Sequence, residues 1–302
     1  LDIWWYQTLN TDIFFDAVDS TYCATIKEGP CGGTPLASVI SVSWGWYELP
    51  GDLAQARVCN EYVSLPPLYY TLPSPSYDTN ISPNRFMKIG LLGTSVLFSA
   101  GDSGVGSGTC TTFQVLESAS CPYITSVGST MLAGSTITSG EVVSNPGYWS
   151  TGGGFSNIWP LPSWQKSAVA SYYKSYNPGY TSAQYNNSQA VRGYPDLVAI
   201  GSNIMIASAG IINSADGTSA SAPIVSSLIT MINQERLAAG KSTVGFINPV
   251  LYANPSALND ITSGDNPGCG TNGFTAVPGW DPVSGLGSPD YLRLSKVWLA
   301  LP

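Results

Sequence analysis

Short apolar runs rich in β-branched residues alternate along the chain with segments of helical spacing. Ala37 to Trp44 (Ala-Ser-Val-Ile-Ser-Val-Ser-Trp) predicts a strand that ends at Gly45. Thr94 to Ser99 predicts a second, ending at Ala100-Gly101, and Tyr123 to Val127 a third, stopped by Gly128. Ahead of Thr94, the residues Phe86, Ile89 and Leu92 recur at helical spacing over Pro83 to Leu92, with Ser82 placed as N-cap and Pro83 at the first helical position. The strongest helical pattern runs from Ala220 to Ala239. Ile224, Leu228, Met231, Ile232 and Leu237 are among its apolar positions, and Gly240 supplies the stop. The stretch Leu65 to Pro83, rich in Pro, Ser and Tyr, predicts a long surface loop. Helices alternating with short buried strands predict an α/β fold with a parallel sheet covered on both faces. In such sheets the working residues collect at the carboxyl ends of strands and at helix N-termini. Asp102 follows one such strand, and Ser219 stands at the start of the long helix.

Charge narrows the partners. The 302 residues carry a formal net charge of −8 with a sequence pI near 4.3, which argues against a nucleic-acid or anionic-membrane partner because both need a basic face. No apolar run reaches the roughly 18 residues of a membrane span. Only 10% of residues are charged, against a usual value of about 25%. Two readings fit: a Gly-, Ser- and Thr-rich secreted surface, or adaptation to acid, where few carboxylates leave little charge to lose. Both point outside the cytosol. The length suits one large α/β domain or at most two small ones.

The chain has no histidine, which excludes Ser-His-Asp and Cys-His mechanisms and a histidine-bound zinc within it. Its six cysteines, Cys23, Cys31, Cys59, Cys110, Cys121 and Cys269, form no CxxC pair. They read as disulfides in an oxidising compartment. Sequons at Asn80-Ile81-Ser82 and Asn186-Asn187-Ser188 fit glycosylation. No basic region followed by an apolar stretch opens the sequence, so Leu1 reads as a processed or truncated end.

Two motifs carry candidate chemistry. In Gly217-Thr218-Ser219-Ala220-Ser221-Ala222-Pro223 a serine opens a buried helix after a glycine that permits close backbone approach. The positive helix end favours an oxyanion developing beside that hydroxyl. An ordinary Ser/Thr helix cap would give the same heptapeptide. In Ser99-Ala100-Gly101-Asp102-Ser103-Gly104 a serine nucleophile would lack its histidine, so Asp102 is the candidate. A carboxyl group held protonated can donate a hydrogen bond to an oxyanion; an Asx-turn aspartate in a Gly-rich loop is the alternative.

Together these segments resemble the sedolisin family of serine-carboxyl peptidases, relatives of subtilisin that include tripeptidyl peptidases and acid endopeptidases. The resemblance continues in order through Ser43-Trp44-Gly45, Pro122-Tyr123-Ile124-Thr125-Ser126-Val127-Gly128, Gly152-Gly153-Gly154-Phe155-Ser156, Arg192-Gly193-Tyr194-Pro195-Asp196 and Gly279-Trp280-Asp281-Pro282 with Gly285-Leu286-Gly287. It implies a subtilisin-like three-layer α/β/α fold with a mainly parallel central sheet, residues 1–302 forming one peptidase domain that lacks the N-terminal part of the family's catalytic domain. It also implies Ser219 as nucleophile and Asp102 as the oxyanion-stabilising carboxyl. The family's general base is a glutamate four residues before an orienting aspartate, on one helical face. Leu1-Asp2-Ile3-Trp4-Trp5 resembles the segment around that aspartate, so Asp2 matches it and the glutamate is expected before Leu1. Either a separate, associated light chain carries it, or the segment is missing and the chain is inactive by itself.

The resemblance further implies a Ca²⁺ site formed by the side chains of Asp260 and Asp281 and the carbonyls of Ile261, Val277 and Gly279. Hard cations favour such oxygen donors. Family spacing pairs Cys110 with Cys269 and leaves three pairings open among the other four cysteines. Ser43, Trp44, Gly45, Gly101, Gly152 and Gly153 are the candidate substrate-binding residues, because glycine-rich strand ends leave backbone groups free to pair with an extended peptide. The expected protein is a secreted peptidase acting on peptide or protein substrates in acid, extracellular or in a lysosome-like compartment. The alternative is an inactive binding or storage protein on a decayed peptidase fold.

Overall fold

The computed structural model describes residues 36–48, 59 and 85–302. Asp2, Cys23, Cys31, the Asn80 sequon, the loop expected over Leu65 to Pro83 and the cap expected at Ser82 and Pro83 lie outside those residues. In chain order the first elements are β1 (Val39–Val42), α1 (Arg85–Leu91), β2 (Ser95–Ser99), α2 (Glu117–Ser120), β3 (Thr125–Leu132) and β4 (Glu141–Val143). Next come β5 (Gly154–Pro160), α3 (Lys166–Ser175), β6 (Val191–Tyr194) and β7 (Leu197–Ile200). A hairpin of β8 (Ile204–Ser208) and β9 (Ile211–Ala215) leads into α4 (Thr218–Ala238) and α5 (Asn248–Ala253). The strand pair β10 (Leu258–Asn259) and β11 (Ser288–Pro289) precedes α6 (Tyr291–Ala300).

The central sheet is mainly parallel, as expected. β1 pairs with β2, β2 with β3 and β3 with β7, all parallel, while β4 joins β3 antiparallel. Alternation along β2 sorts the layers. Leu97 joins Val127, Val198, Ala222 and Val225 in the core beneath α4. Val96 and Phe98, pointing the other way, pack with Phe86, Ile89, Ile124 and Trp159. A strand buried at every position needs cover on both faces, and these two clusters supply it.

Two sequence expectations are corrected. The third strand starts at Thr125 and does not stop at Gly128 but runs on to Leu132, because β7 and then β4 pair with its second half. Gly128 is tolerated inside the strand since a Cβ there would meet Pro195, Val198 and Thr151 at 3.0–3.1 Å. The long helix begins two residues earlier than expected, at Thr218. Asn186 of the second sequon is partly exposed and donates through Nδ2 to the Ser156 carbonyl at 3.2 Å.

Two disulfides lie among the described residues. Cys110–Cys269 is the expected pair, and Cys59–Cys121 resolves one of the open pairings. No helix among the described residues is long and apolar enough to cross a membrane.

Candidate active site

A cleft of about 240 Å³ opens at the carboxyl ends of β1 and β2. Ser43, Trp44, Gly45, Gly101, Asp102, Gly152, Thr218 and Ser219 all line it. Seven residues singled out from separate parts of the sequence therefore meet in one place, with Thr218 added. Trp44 is 67% exposed, so it is a wall of the cleft and not core. Gly153 lies outside this lining: a Cβ there would stand 2.1 Å from the Pro282 carbonyl oxygen, so its lack of a side chain serves packing.

Ser219 is exposed in the first turn of α4. Gly217, at the N-cap, has φ +124°, a backbone that side chains rarely adopt. The chain can therefore turn sharply out of the β8–β9 hairpin into the helix. The N–H of Ser219 is one of the first-turn donors that no helical carbonyl can take. The Ser219 carbonyl accepts from Ser43 Oγ at 3.1 Å.

Asp102 is fixed from the same helix start. Its Oδ1 accepts from Thr218 N–H at 2.7 Å and from Thr218 Oγ1 at 2.8 Å. Thr218 Oγ1 in turn accepts from Gly101 N–H at 3.1 Å. With Oδ1 engaged twice, Oδ2 is the oxygen without a hydrogen-bond partner among the described residues, and it is left to meet a substrate. The Asp102 loop is tied down by Gly152 N–H to the Gly101 carbonyl at 2.7 Å. A Cβ on Gly152 would stand 2.0 Å from the Ala100 carbonyl oxygen, so only glycine allows that approach.

On either side of the cleft residue Tyr194 in the chain stands a buried polar pair to which the sequence reading gave no role. Arg192 and Asp196, both fully buried, form an ion pair at 2.6 Å. Asp196 also accepts from Ser126 N–H at 2.8 Å, Asn248 Nδ2 at 3.1 Å and Tyr252 Oη at 2.9 Å. This arrangement brackets Tyr194, which lines the cleft and whose hydroxyl accepts from Leu116 N–H at 3.1 Å. Burial pushes the Tyr194 hydroxyl far above the ordinary phenol range, so it stays neutral.

The five residues expected at a Ca²⁺ site fall into one loop cluster, away from the cleft lining. Asp281 is buried and accepts from Val277 N–H at 2.9 Å, Val283 N–H at 2.9 Å and Ser284 N–H at 2.8 Å. Desolvation pushes its carboxyl up to about 7. Asp260 accepts from Gly279 N–H at 2.8 Å, and Ser284 Oγ reaches both Asp281, at 2.9 Å, and the Ile261 carbonyl, at 3.0 Å. Asp281 has no ion-pair partner among the described residues, but both of its oxygens already accept from N–H groups or Ser284 Oγ, so a hard cation there would have to replace some of those bonds. Among the described residues no group of three or more His, Cys, Asp or Glu side chains is placed to hold a metal, so any such site draws on backbone oxygens.

No family model matches the chain. It is 42% identical to aorsin of Aspergillus oryzae and 39% identical to tripeptidyl-peptidase sed1 of Aspergillus fumigatus, in each case over 97% of its own length. The chain spans about half the length of these relatives, 49% and 48%. Among solved structures it is similar to Pseudomonas sedolisin, a serine-carboxyl proteinase complexed with two molecules of pseudo-iodotyrostatin. That match has a TM-score of 0.63 at 26% identity and covers 88% of this chain and 66% of that one.

Proposed function

The chain belongs to the sedolisin family of serine-carboxyl peptidases, and from that footing we propose that it hydrolyses peptide bonds in acid, outside the cytosol, with Ser219 as nucleophile. Ser219 Oγ attacks the scissile carbonyl. Its proton passes to a glutamate four residues before Asp2, on polypeptide preceding Leu1 or on an associated light chain, and Asp2 orients that base. The oxyanion is held by Ser219 N–H and by the protonated Asp102 carboxyl through Oδ2. Collapse of the tetrahedral intermediate expels the amine, which takes the proton from the glutamate, and water then hydrolyses the acyl-enzyme using the same base. A carboxylate base works best near its own pKa, and Asp102 must keep its proton to donate, so both requirements favour acid.

The observation that carries this reading is the pair of bonds from Thr218 to Asp102, which fixes the carboxyl one residue from the nucleophile. Ser43, Trp44, Gly45, Gly101 and Gly152 would bind the extended substrate. Ca²⁺ would be held by the carboxylates of Asp260 and Asp281 and the carbonyls of Ile261, Val277 and Gly279. Its contribution would be structural, neutralising the Asp281 charge and joining two loops.

The test is covalent trapping of the full-length protein by a peptide aldehyde at a pH of about 4. Labelling at Ser219, lost in Ser219→Ala together with peptide cleavage, is the expected result. Cleavage that survives Ser219→Ala would overturn the reading, and a wild-type protein that neither cleaves nor labels would favour the non-catalytic alternative. Release of tripeptides from an unblocked peptide, but not from its N-acetylated form, would identify an exopeptidase.

A further inference from the structure

Two segments form one wall of the cleft. Tyr47 pairs antiparallel with Leu116, Glu48 N–H donates to the Val115 carbonyl at 2.7 Å, and Glu117 N–H donates to the Trp46 carbonyl at 2.8 Å. Trp44, Gly45, Tyr47 and Leu116 all line the cleft. So short a clip is weak by itself. Glu48 anchors it from behind. Its Oε1 accepts from Ser156 Oγ on β5 at 2.5 Å and from Ser120 Oγ on α2 at 2.8 Å, and its Oε2 accepts from Asn157 N–H at 2.7 Å. One carboxyl group therefore ties the cleft wall to two other elements.

The hydroxyls around it are suited to a proton. Ser156 Oγ already accepts from Ile158 N–H at 3.0 Å and Trp159 N–H at 2.8 Å, so its own hydrogen must go to Glu48. Ser120 can turn, because its Oγ also lies 3.0 Å from the Glu117 carbonyl. When Glu48 is protonated on Oε1, that proton goes to Ser120 Oγ and the Ser120 hydrogen goes to the Glu117 carbonyl. Every polar atom then keeps a partner. When Glu48 is ionised, three donors face it, but no described ion pair neutralises it. Among the described residues the titratable groups around it are the buried Glu117 on α2, Tyr194 on β6 and its neighbour Tyr47, none of them a cation. Desolvation, opposed by those hydrogen bonds, raises the Glu48 carboxyl above its ordinary range, which extends the neutral form upward in pH.

The geometry points to Glu48 as a positioning residue that holds the Trp44–Tyr47 wall for peptide binding in its protonated form and loosens that wall on ionisation. This rests on the peptidase reading and deepens it: substrate affinity, and not the chemical step, would carry the Glu48 ionisation. The experiment follows KM and kcat separately from acid to neutral pH for full-length wild type and Glu48→Gln. The amide stays neutral, yet its NH₂ must face either Ser156 Oγ or Asn157 N–H, so one donor opposes another. The expected KM of Glu48→Gln in acid is about tenfold above wild type and flat with pH, with kcat within about threefold. Wild-type KM is expected to climb as pH rises. Superimposable KM profiles for the two proteins would overturn the inference while leaving the peptidase reading intact. A flat wild-type KM would do the same even if Glu48→Gln did not fold. A wild type that cleaves no peptide would overturn the peptidase reading and this inference together.

Discussion

The Ser43 hydroxyl donates to the carbonyl oxygen of Ser219 at 3.1 Å. In an uninterrupted helix that carbonyl would take the N–H of residue 223, but residue 223 is proline and has none to give. Ser43, just past β1, supplies the donor instead and so links the sheet to the backbone of Ser219, the proposed nucleophile. Ser43→Ala is expected to lower stability by about 1 kcal/mol. It should also lower kcat by roughly fivefold, because the proposed nucleophile is less well held. Ser43→Thr, which keeps the hydroxyl, should recover most of both. Urea unfolding and steady-state kinetics check this, and a change confined to KM would assign Ser43 to the substrate alone.

Asp102 and Thr218 give a sharper expectation. Both Thr218 donors converge on Oδ1, and an asparagine at position 102 can place its carbonyl oxygen there and turn its NH₂ to where an oxyanion would form. Asp102→Ala should lose roughly 100- to 1000-fold in kcat, the usual effect of removing an oxyanion donor. Asp102→Asn should lose less, because its NH₂ can still donate where the oxyanion would form. Thr218→Val keeps the N–H but removes the hydroxyl, and a fall of about tenfold is expected. A kcat of Asp102→Asn as low as that of Asp102→Ala would contradict this assignment.

The parts of this site that were legible in the sequence are local. A serine beginning a helix after glycine and an aspartate ending an apolar strand announce themselves by short-range pattern, and both stand where the α/β architecture places chemistry. Thr218 sat inside a quoted motif, but its bond to Asp102 spans 116 residues and leaves no trace in spacing. Glu48 was equally hidden: it follows a predicted strand by a few residues, and only tertiary packing brings Ser120 and Ser156 to its carboxyl. Strand limits failed for a related reason. Gly128 reads locally as a stop, yet pairing with β7 carries β3 through it. The tertiary neighbour outweighed the local signal.

Arg192 and Asp196 should be intolerant of single substitutions. Truncating one partner leaves the other charged and buried, a loss of about 3–5 kcal/mol. Arg192→Met and Asp196→Asn are each expected to destabilise by that amount, since Asp196 also anchors Ser126, Asn248 and Tyr252. Because the pair brackets Tyr194, the variants that do fold should also raise KM. Equilibrium unfolding of each single variant and the double variant measures the coupling.

If the Asp260–Asp281 loops hold Ca²⁺, chelation should lower the melting temperature, and added Ca²⁺ should restore it in a concentration-dependent way. Asp260→Asn should reduce that shift without abolishing cleavage at low temperature, because these loops stand apart from the cleft lining. Isothermal titration with Ca²⁺ reads the affinity directly. An unchanged melting temperature on chelation and re-addition would remove the site.

Two glutamates are expected to bound the stable pH range from opposite sides. Glu235 accepts from Tyr291 Oη at 2.6 Å and Ser295 Oγ at 2.7 Å, joining α4 to α6, and these bonds hold its carboxyl below the ordinary value of 4.5. A lowered folded pKa gives stability that is present above the unfolded value and lost as pH falls through the folded one. Glu48 is shifted upward by burial, so its contribution is complete below 4.5 and lost as pH rises through its folded value. Glu235→Gln should therefore flatten the acid side of a melting-temperature profile, and Glu48→Gln the side above it. The Glu235 effect should be the smaller, since that group is solvent-screened and its bonds can be replaced by water. A double variant that keeps the wild-type curvature on both sides would show that other carboxyls set the range.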